Sequence, residues 1–434
     1  MVAPGDVRRI APARRLRGRF RLPGDKSLSH RLAILAALAE GTSRFDHFSA
    51  ALDCRSTLAC LEGLSARVHV DAAGDAVSIS GGGASALRPP TRPLDAGNSG
   101  STLRMLAGVL AARPFRSVLD GDGSLRGRPV ERVAAPLRVM GARIETTGGR
   151  PPITIEGGPL AGLDHTLPIA SAQVKTAILL AGLQADGRTS VTEPLASRDH
   201  TERLLPCFGV LVRATGLTVS VAGGARLHPF DMAVPGDPSG AAFLVVAALL
   251  VPDARLRIDG VLLNPGRIAF LDVLRRMGGA IRVGVDQGEP EPVGWIEAET
   301  SALQGTDISA AEVPALIDEL PVLAVAGAAA SGTFRLTGAE ELRVKESDRI
   351  AAITEGLRLM GAIVDERPDG LVIDGGRPLH GAAVRSRDDH RIAMSLAVAG
   401  LAAASGETVI EGADCASVSF PGFFAMLDRA VGAD

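Results

Sequence analysis

The sequence predicts an α/β protein assembled from repeated modules, and three observations carry that prediction. First, one phrase recurs: an apolar helix end, a Met or Phe, a Gly, then a β-branched strand, at residues 137–144, 205–210, 274–281 and 357–364. A degenerate copy at 61–68 has Ser65 in place of the Gly. Glycine there suits a left-handed helix C-cap, and the apolar alternation that follows suits a strand. The copies lie about 70–80 residues apart, longer than solenoid repeats, so each unit is a small α/β module. Two copies would be ordinary α/β grammar, but five at similar spacing argue for duplication. Second, several apolar helical runs each open on a cluster of small polar and charged residues. Third, 434 residues of which 46% are hydrophobic are enough for two or three domains with a large core.

The helix openings follow one another along the chain. Phe20 and Leu22 end an extended run at the breaker Pro23-Gly24. Asp25 and Ser27 are N-cap types, and Leu28, Leu32 and Leu35 continue as a helix toward Gly41. Lys26, Ser27 and Arg31 therefore surround a helix start, where free N–H groups and the dipole favour an anion. The spacing is not the Gly-x-x-x-x-Gly-Lys phosphate loop. Asp95 to Ser101, with Asn98 and Gly100, opens a second helix, and Ser171-Ala172-Gln173-Val174-Lys175 a third. Asp237-Pro238-Ser239 opens a fourth, with proline where the first helical turn tolerates it. Asp318-Glu319-Leu320-Pro321 opens a fifth, residues 344–349 a sixth, and Asp388-Asp389-His390-Arg391 a seventh. Any one of these also reads as a capped surface helix with solvated charges. Converging, they would make a strongly anion-attracting cleft.

Composition narrows the partners. Aromatics are 3%, with no Tyr and a single Trp, Trp295, which argues against base stacking on nucleic acid. The net charge of −3 provides no global field toward nucleic acid or membrane. Cys54, Cys60, Cys207 and Cys415 form no metal or redox spacing and read as reduced packing residues of a cytoplasmic protein. Arg8, Arg9, Arg14, Arg15 and Arg17 are not followed by an apolar signal core, and the apolar run at 243–251 is far too short to span a bilayer. A soluble protein is expected.

The cations near helix starts are Lys26, Arg31, Arg104, Arg128, Lys175, Arg198, Lys345, Arg349 and Arg391, and the carboxylates among them are Asp318 and Glu346. A substrate with several negative charges needs many cations plus an acid and a base. Hydrolase, dinucleotide and zinc signatures are absent. Three of the clusters keep a second reading. Asp318-Glu319 also fits helix capping, Lys345-Glu346 and Asp348-Arg349 fit surface pairs, and His390 fits a solvated histidine at a capped start. The residues by themselves indicate a polyanion-binding α/β enzyme.

Residues 23–31, 97–104, Arg128-Pro129, Ser171-Ala172-Gln173, residues 318–321, 343–349 and 389–391 together resemble the EPSP synthase (3-phosphoshikimate 1-carboxyvinyltransferase) family. The resemblance runs from about residue 20 to the Phe420-Pro421 end. It implies two similar domains, each of three βαβαββ-type units in an inverted α/β barrel-like arrangement, with the active site in the interdomain cleft. One domain is discontinuous, expected at 1–21 plus 238–434 around an inserted 22–237. It implies transfer of the enolpyruvyl group of phosphoenolpyruvate to the 5-hydroxyl of shikimate 3-phosphate in the shikimate pathway, with no metal or other cofactor, by a cytoplasmic monomer.

By the same resemblance, Lys26, Ser27, Arg31, Ser171, Ala172, Gln173, Arg198, Asp318 and Lys345 meet shikimate 3-phosphate. Lys26, Asn98, Gly100, Arg128, Gln173, Arg349 and Arg391 meet phosphoenolpyruvate. Asp318 takes the proton of the attacking hydroxyl, Glu346 protonates the enol methylene, and Lys26 joins them as a catalytic residue. Some features depart from relatives. A lysine common two residues before the terminal Phe-Pro is Val418 here, and Arg198 stands where some members have Tyr. Residues 171–175 and 198–202 resemble the glyphosate-tolerant class, but Asn264-Pro265-Gly266-Arg267 lacks that class's Thr, and Gly100 leaves room that Ala would block, so at least partial sensitivity is expected. Two other readings are the sister enolpyruvyl transferase acting on UDP-N-acetylglucosamine and a catalytically silent anion-binding protein. The first is disfavoured by Ser27 after Lys26 and by the lack of a cysteine in 110–130, the second by the presence of both acids with all three arginines.

Overall fold

The computed structural model describes residues 6–432, so the first five and last two residues of the expected discontinuous domain lie outside the described residues. The chain divides into two compact units, one formed by the chain up to Pro23 and from Pro235 onward, the other by Gly24–Val234.

In the unit Gly24–Val234 three modules follow one plan. The clearest runs strand Leu94–Asp95, helix Gly100–Ala111, strand Arg116–Asp120, helix Glu131–Met140, and hairpin Arg143–Thr147 with Arg150–Glu156. The first two strands pair parallel, and the hairpin closes the four-stranded sheet antiparallel. The next module repeats this with Asp164–Thr166, helix Ala172–Gly182, Arg188–Thr192, helix His200–Cys207, and hairpin Val212–Thr215 with Thr218–Ala222. The module built on helices Lys26–Leu38 and Leu52–Gly63 takes its first strand, Met232–Ala233, from the far end of the unit.

The other unit follows the same plan twice. Strand Leu16–Arg21 pairs parallel with Ala254–Leu262 around helix Pro238–Leu250, and Asp307–Ile308 with Thr333–Leu336 around helix Leu320–Ala329. The last module departs from it. Ala383–Arg385 pairs parallel with Thr408–Glu411 around helix His390–Leu401, but the closing antiparallel strand is Val7–Ile10. Six modules and five glycine phrases are thereby reconciled, because the sixth module has no hairpin of its own to introduce.

The phrases themselves sit where the second helix of a module turns into its hairpin. Gly141, Gly209, Gly278 and Gly361 all have φ between 82° and 121°. Ser65 holds the same left-handed region at φ 68° without glycine's freedom.

The first helix of each module is apolar on nearly every face. Helices Pro238–Leu250, Leu320–Ala329 and His390–Leu401 are buried almost throughout, as are Lys26–Leu38, Gly100–Ala111 and Ala172–Gly182. A helix apolar all round needs neighbours all round, so these form the core of their units. Helix Gly100–Ala111 packs on Ala172–Gly182 so closely that a Cβ on Gly108 would lie 2.1 Å from the Ala177 carbonyl oxygen. Since the paired strands of a module run parallel, both end at the same sheet edge, and both helices start there. Within each module that geometry puts the polar helix openings at one end of its sheet. No helix among the described residues is long and apolar enough to cross a membrane.

Candidate functional site

In the unit Gly24–Val234, Asp25 caps helix Lys26–Leu38 by accepting from Leu28 N, which leaves Lys26 and Ser27 in its first turn. Lys26 Nζ lies 2.7 Å from Asp53 Oδ2, and both side chains are largely buried. Arg31 is 4% exposed. Its Nε donates to Thr201 Oγ1, Nη2 to Thr176 Oγ1, and Nη1 to the Ser27 carbonyl. Arg198 Nη1 donates to Ser27 Oγ at 3.3 Å. Four of the nine residues expected to meet shikimate 3-phosphate, Lys26, Ser27, Arg31 and Arg198, are thus brought together.

A second group lies at the starts of two more core helices. Ser99 caps helix Gly100–Ala111 and Ser171 caps Ala172–Gly182. Gln173 accepts from Arg104 Nη1 at 2.7 Å and donates to Ser101 Oγ at 2.9 Å. Arg128, 6% exposed, donates to Asn98 Oδ1 at 2.6 Å and to Ser124 Oγ. The space beside Gly100 is not open: a Cβ there would meet Arg104 Nη1 at 2.6 Å and Arg128 Nη1 at 3.5 Å. Lys175 leaves this set. It is buried between Glu193 and Glu202, 2.6 Å from each, so the grouping of Lys175 with cations facing a ligand is corrected. Two carboxylates within contact absorb its charge.

In the other unit the centre is Arg349, 1% exposed. Its Nε is 2.8 Å from Asp389 Oδ2, Nη2 is 2.6 Å from Glu346 Oε2, and Nη1 is 3.6 Å from Asp318 Oδ1. Burial works against the charged guanidinium, but Asp389, Glu346 and Asp318 outweigh it and raise its affinity for the proton. The candidate acid and base therefore flank one permanently charged group. Arg391 Nη2 lies 3.9 Å from Asp318 Oδ2, and the guanidinium stands 6.0 Å from the Phe243 ring centre. Lys345 pairs with Glu341 at 3.7 Å. Burial lowers its proton affinity, outweighing Glu341, Asp318 and Glu346.

The bland readings of this unit's clusters fail. Asp318 and Glu319 do not cap helix Leu320–Ala329, since no side-chain cap bond forms there. Glu319 is 1% exposed and instead accepts from Ser239 Oγ, which also accepts from Arg267 Nη2. Asp389 does cap helix His390–Leu401, but His390 is buried rather than solvated. Lys345 pairs with Glu341, Asp348 caps helix Arg349–Leu359, and Arg349 is buried, so these are not simple surface pairs. Val418 ends a 3₁₀ turn, Ala413–Val418, half-buried. A pocket beside it is lined by Asp237, Ser239, Phe243, Arg391, Ser419 and Phe420, with Arg391 as its cation.

Sequence reasoning missed Asp53 and gave Arg267 no partner, read Glu319 only as a helix cap, and took Asp389 only as part of a capped helix start. Only Asp389 had a usable signal, its place before His390-Arg391. The others matter through partners 27 to 80 positions away.

The family model described as EPSP synthase (3-phosphoshikimate 1-carboxyvinyltransferase) matches residues 10–427. Proteins named 3-phosphoshikimate 1-carboxyvinyltransferase from Koribacter versatilis and Solibacter usitatus are 50% and 49% identical, covering 98% and 97% of this chain and 99% of each relative. A solved structure of EPSP synthase from Acinetobacter baumannii superposes with TM-score 0.85 at 42% identity, covering 97% of both chains. The enolpyruvyl transferase NikO from Streptomyces tendae shares the fold, with TM-score 0.77 at 20% identity over 99% of this chain and 98% of that one. With its two-unit α/β architecture of repeated modules and a match spanning nearly its whole length, this chain belongs to the EPSP synthase (3-phosphoshikimate 1-carboxyvinyltransferase) family.

Proposed function

We propose that this protein transfers the enolpyruvyl group of phosphoenolpyruvate to the 5-hydroxyl of shikimate 3-phosphate, releasing phosphate. Family membership supports the reaction, and one observation carries its chemistry here: Asp318 and Glu346 flank the buried Arg349, with Arg391 alongside. An addition–elimination needs an acid and a base beside groups that offset a phosphate's charge.

In this reading Glu346 gives a proton to the enol methylene, and C2 takes on oxocarbenium character. Asp318 accepts the 5-hydroxyl proton as that oxygen bonds to C2. In the second step the new methyl group returns a proton to a carboxylate, the double bond re-forms and phosphate leaves. Arg128, Arg349 and Arg391 hold phosphoenolpyruvate and offset the departing charge, with Asn98 and Gly100 bounding its subsite and Gln173 touching both substrates. Lys26, Ser27, Arg31, Ser171, Ala172 and Arg198 take shikimate 3-phosphate, with Lys345 on the same substrate and Lys26 reaching both. We place the enzyme in the cytoplasm as a monomer. Among the described residues Cys54, Cys60, Cys207 and Cys415 form no disulfide, which suits a reducing compartment.

The test is phosphate release from phosphoenolpyruvate, run with shikimate 3-phosphate and in parallel with UDP-N-acetylglucosamine, both under chelator. Release with shikimate 3-phosphate alone is expected. Release only with the nucleotide sugar would reassign the acceptor, and release with neither would leave an anion-binding protein.

A further inference from the structure

The proposed reaction does not use the cluster around Lys175, a deeply buried charged triad of the unit Gly24–Val234. Lys175, Glu193 and Glu202 have side chains 3%, 4% and 10% exposed. Placing three ionisable groups in the core is costly, and an apolar trio of the same volume would cost less. Burial raises the Glu202 carboxyl, and Lys175 pulls it back. A cluster that is expensive for stability calls for another role.

Its connections indicate one. Lys175 lies one turn inside helix Ala172–Gly182, whose start carries Ser171 and Gln173. Glu193 begins the loop that leads from strand Arg188–Thr192 to helix His200–Cys207, and Glu202 lies in that helix. Within the loop, Ser197 donates to Glu193 twice, through Oγ and through its backbone N–H at 3.4 Å. The next residue is Arg198, whose Nη1 reaches Ser27 Oγ. The loop is therefore held at its start, at Ser197 and beyond its end by one buried charge network anchored on Lys175. Its outward product is the placement of one arginine. Neighbouring Leu195 is 41% exposed, so apolar packing does little to hold the loop.

We propose that Lys175, Glu193, Glu202 and Ser197 form a positioning device that fixes Arg198 against Ser27 and so sets the affinity of the phosphate subsite for shikimate 3-phosphate. This rests on the assignment of Arg198 to that substrate, and the test separates the two claims.

Steady-state constants for both substrates and thermal midpoints are measured for the wild type, Arg198→Ala, Ser197→Ala, Glu193→Gln and the double variant Ser197→Ala/Arg198→Ala. The expected KM for shikimate 3-phosphate rises about tenfold in Ser197→Ala and in Glu193→Gln, the scale of one hydrogen bond to a charged acceptor. KM for phosphoenolpyruvate and the thermal midpoint of Ser197→Ala stay at wild-type values. Because Ser197 acts through Arg198, its removal in the Arg198→Ala background changes KM no further. Additive effects in the double variant, or a parallel rise of both KM values with a lower thermal midpoint, would overturn the positioning role. An Arg198→Ala enzyme with unchanged KM for shikimate 3-phosphate would instead refute the assignment of Arg198. Glu193→Gln leaves Lys175 half-neutralised and puts folding at risk; Ser197→Ala leaves every charge in place and decides the matter alone.

Discussion

Replacing Gly100 by Ala isolates a single steric event in the group expected to hold phosphoenolpyruvate. Gly100 is the first residue of helix Gly100–Ala111, and its φ is not in the left-handed region, so the backbone accepts alanine. Helix propensity favours the change by up to about 1 kcal/mol. The new Cβ, however, would lie 2.6 Å from Arg104 Nη1, about 0.8 Å inside the 3.4 Å at which ordinary contact begins. Arg104 is 8% exposed and has little room to retreat. Nη1 is also the atom that donates to Gln173 Oε1 at 2.7 Å, so a displacement of that size stretches the bond out of hydrogen-bonding range.

A hydrogen bond from a charged donor is worth roughly 1.5–3 kcal/mol, one to two powers of ten in binding. Arg128 Nη1, 3.5 Å from the same Cβ, needs no shift. We expect KM for phosphoenolpyruvate to rise at least about tenfold. KM for shikimate 3-phosphate should change less, since of its expected contacts the shift reaches Gln173 but not Lys26, Ser27, Arg31 or Arg198, and the thermal midpoint should not fall. Initial-rate assays with each substrate varied against a saturating concentration of the other decide it. An unchanged KM for phosphoenolpyruvate would show that Arg104 and Gln173 yield without cost and would refute the reasoning.

Asp318→Ala should cut kcat by about 10²–10⁴ if Asp318 takes the hydroxyl proton, and near-wild-type turnover would remove it from the mechanism. Asp389→Ala leaves Arg349 without the partner at 2.8 Å from its Nε, and urea unfolding should show a loss of about 3–5 kcal/mol; a loss under 1 kcal/mol would mean that Glu346 and Asp318 suffice. Ser65→Gly relieves a left-handed serine at φ 68° and should raise stability by up to about 1 kcal/mol, with destabilisation counting against the argument. For His30, burial, then Lys26 and Arg31, hold the imidazole well below its usual range, so the unfolded chain binds a proton that the folded one refuses. Its contribution is present above about pH 6.5 and is lost as pH falls below it, by about 1.4 kcal/mol per unit until the folded value is reached. Urea titrations at pH 7.5 and 5.5 should show a shallower loss in His30→Gln than in the wild type, and equal slopes would contradict the burial argument.

The local grammar of this protein is legible in the chain itself. Glycine after Met140, Phe208, Met277 and Met360 can hold the left-handed turn that reverses a helix into a strand, and each does so. Asp25, Ser99, Ser171, Asp237, Asp348 and Asp389 cap their helices through bonds spanning two or three residues. These are short-range effects, set by covalent spacing, and so are the motifs that mark the family. Pairings between distant residues are not legible in this way. Lys175 and Arg198 look alike in sequence as cations near helix starts, yet one is quenched between Glu193 and Glu202 while the other reaches Ser27. Glu319 reads as a cap and becomes a buried partner of Ser239, 80 positions away. Val7–Ile10 closes a sheet with Thr408–Glu411 because the last module lacks its own hairpin and its strand edge would otherwise stay open. Charge partners and edge strands depend on which segments packing brings within a few ångströms, and no local spacing encodes that. The chain by itself determined the modules, their turns and the chemistry available; tertiary packing alone decided which charges stay together at the helix starts and which neutralise one another in the core.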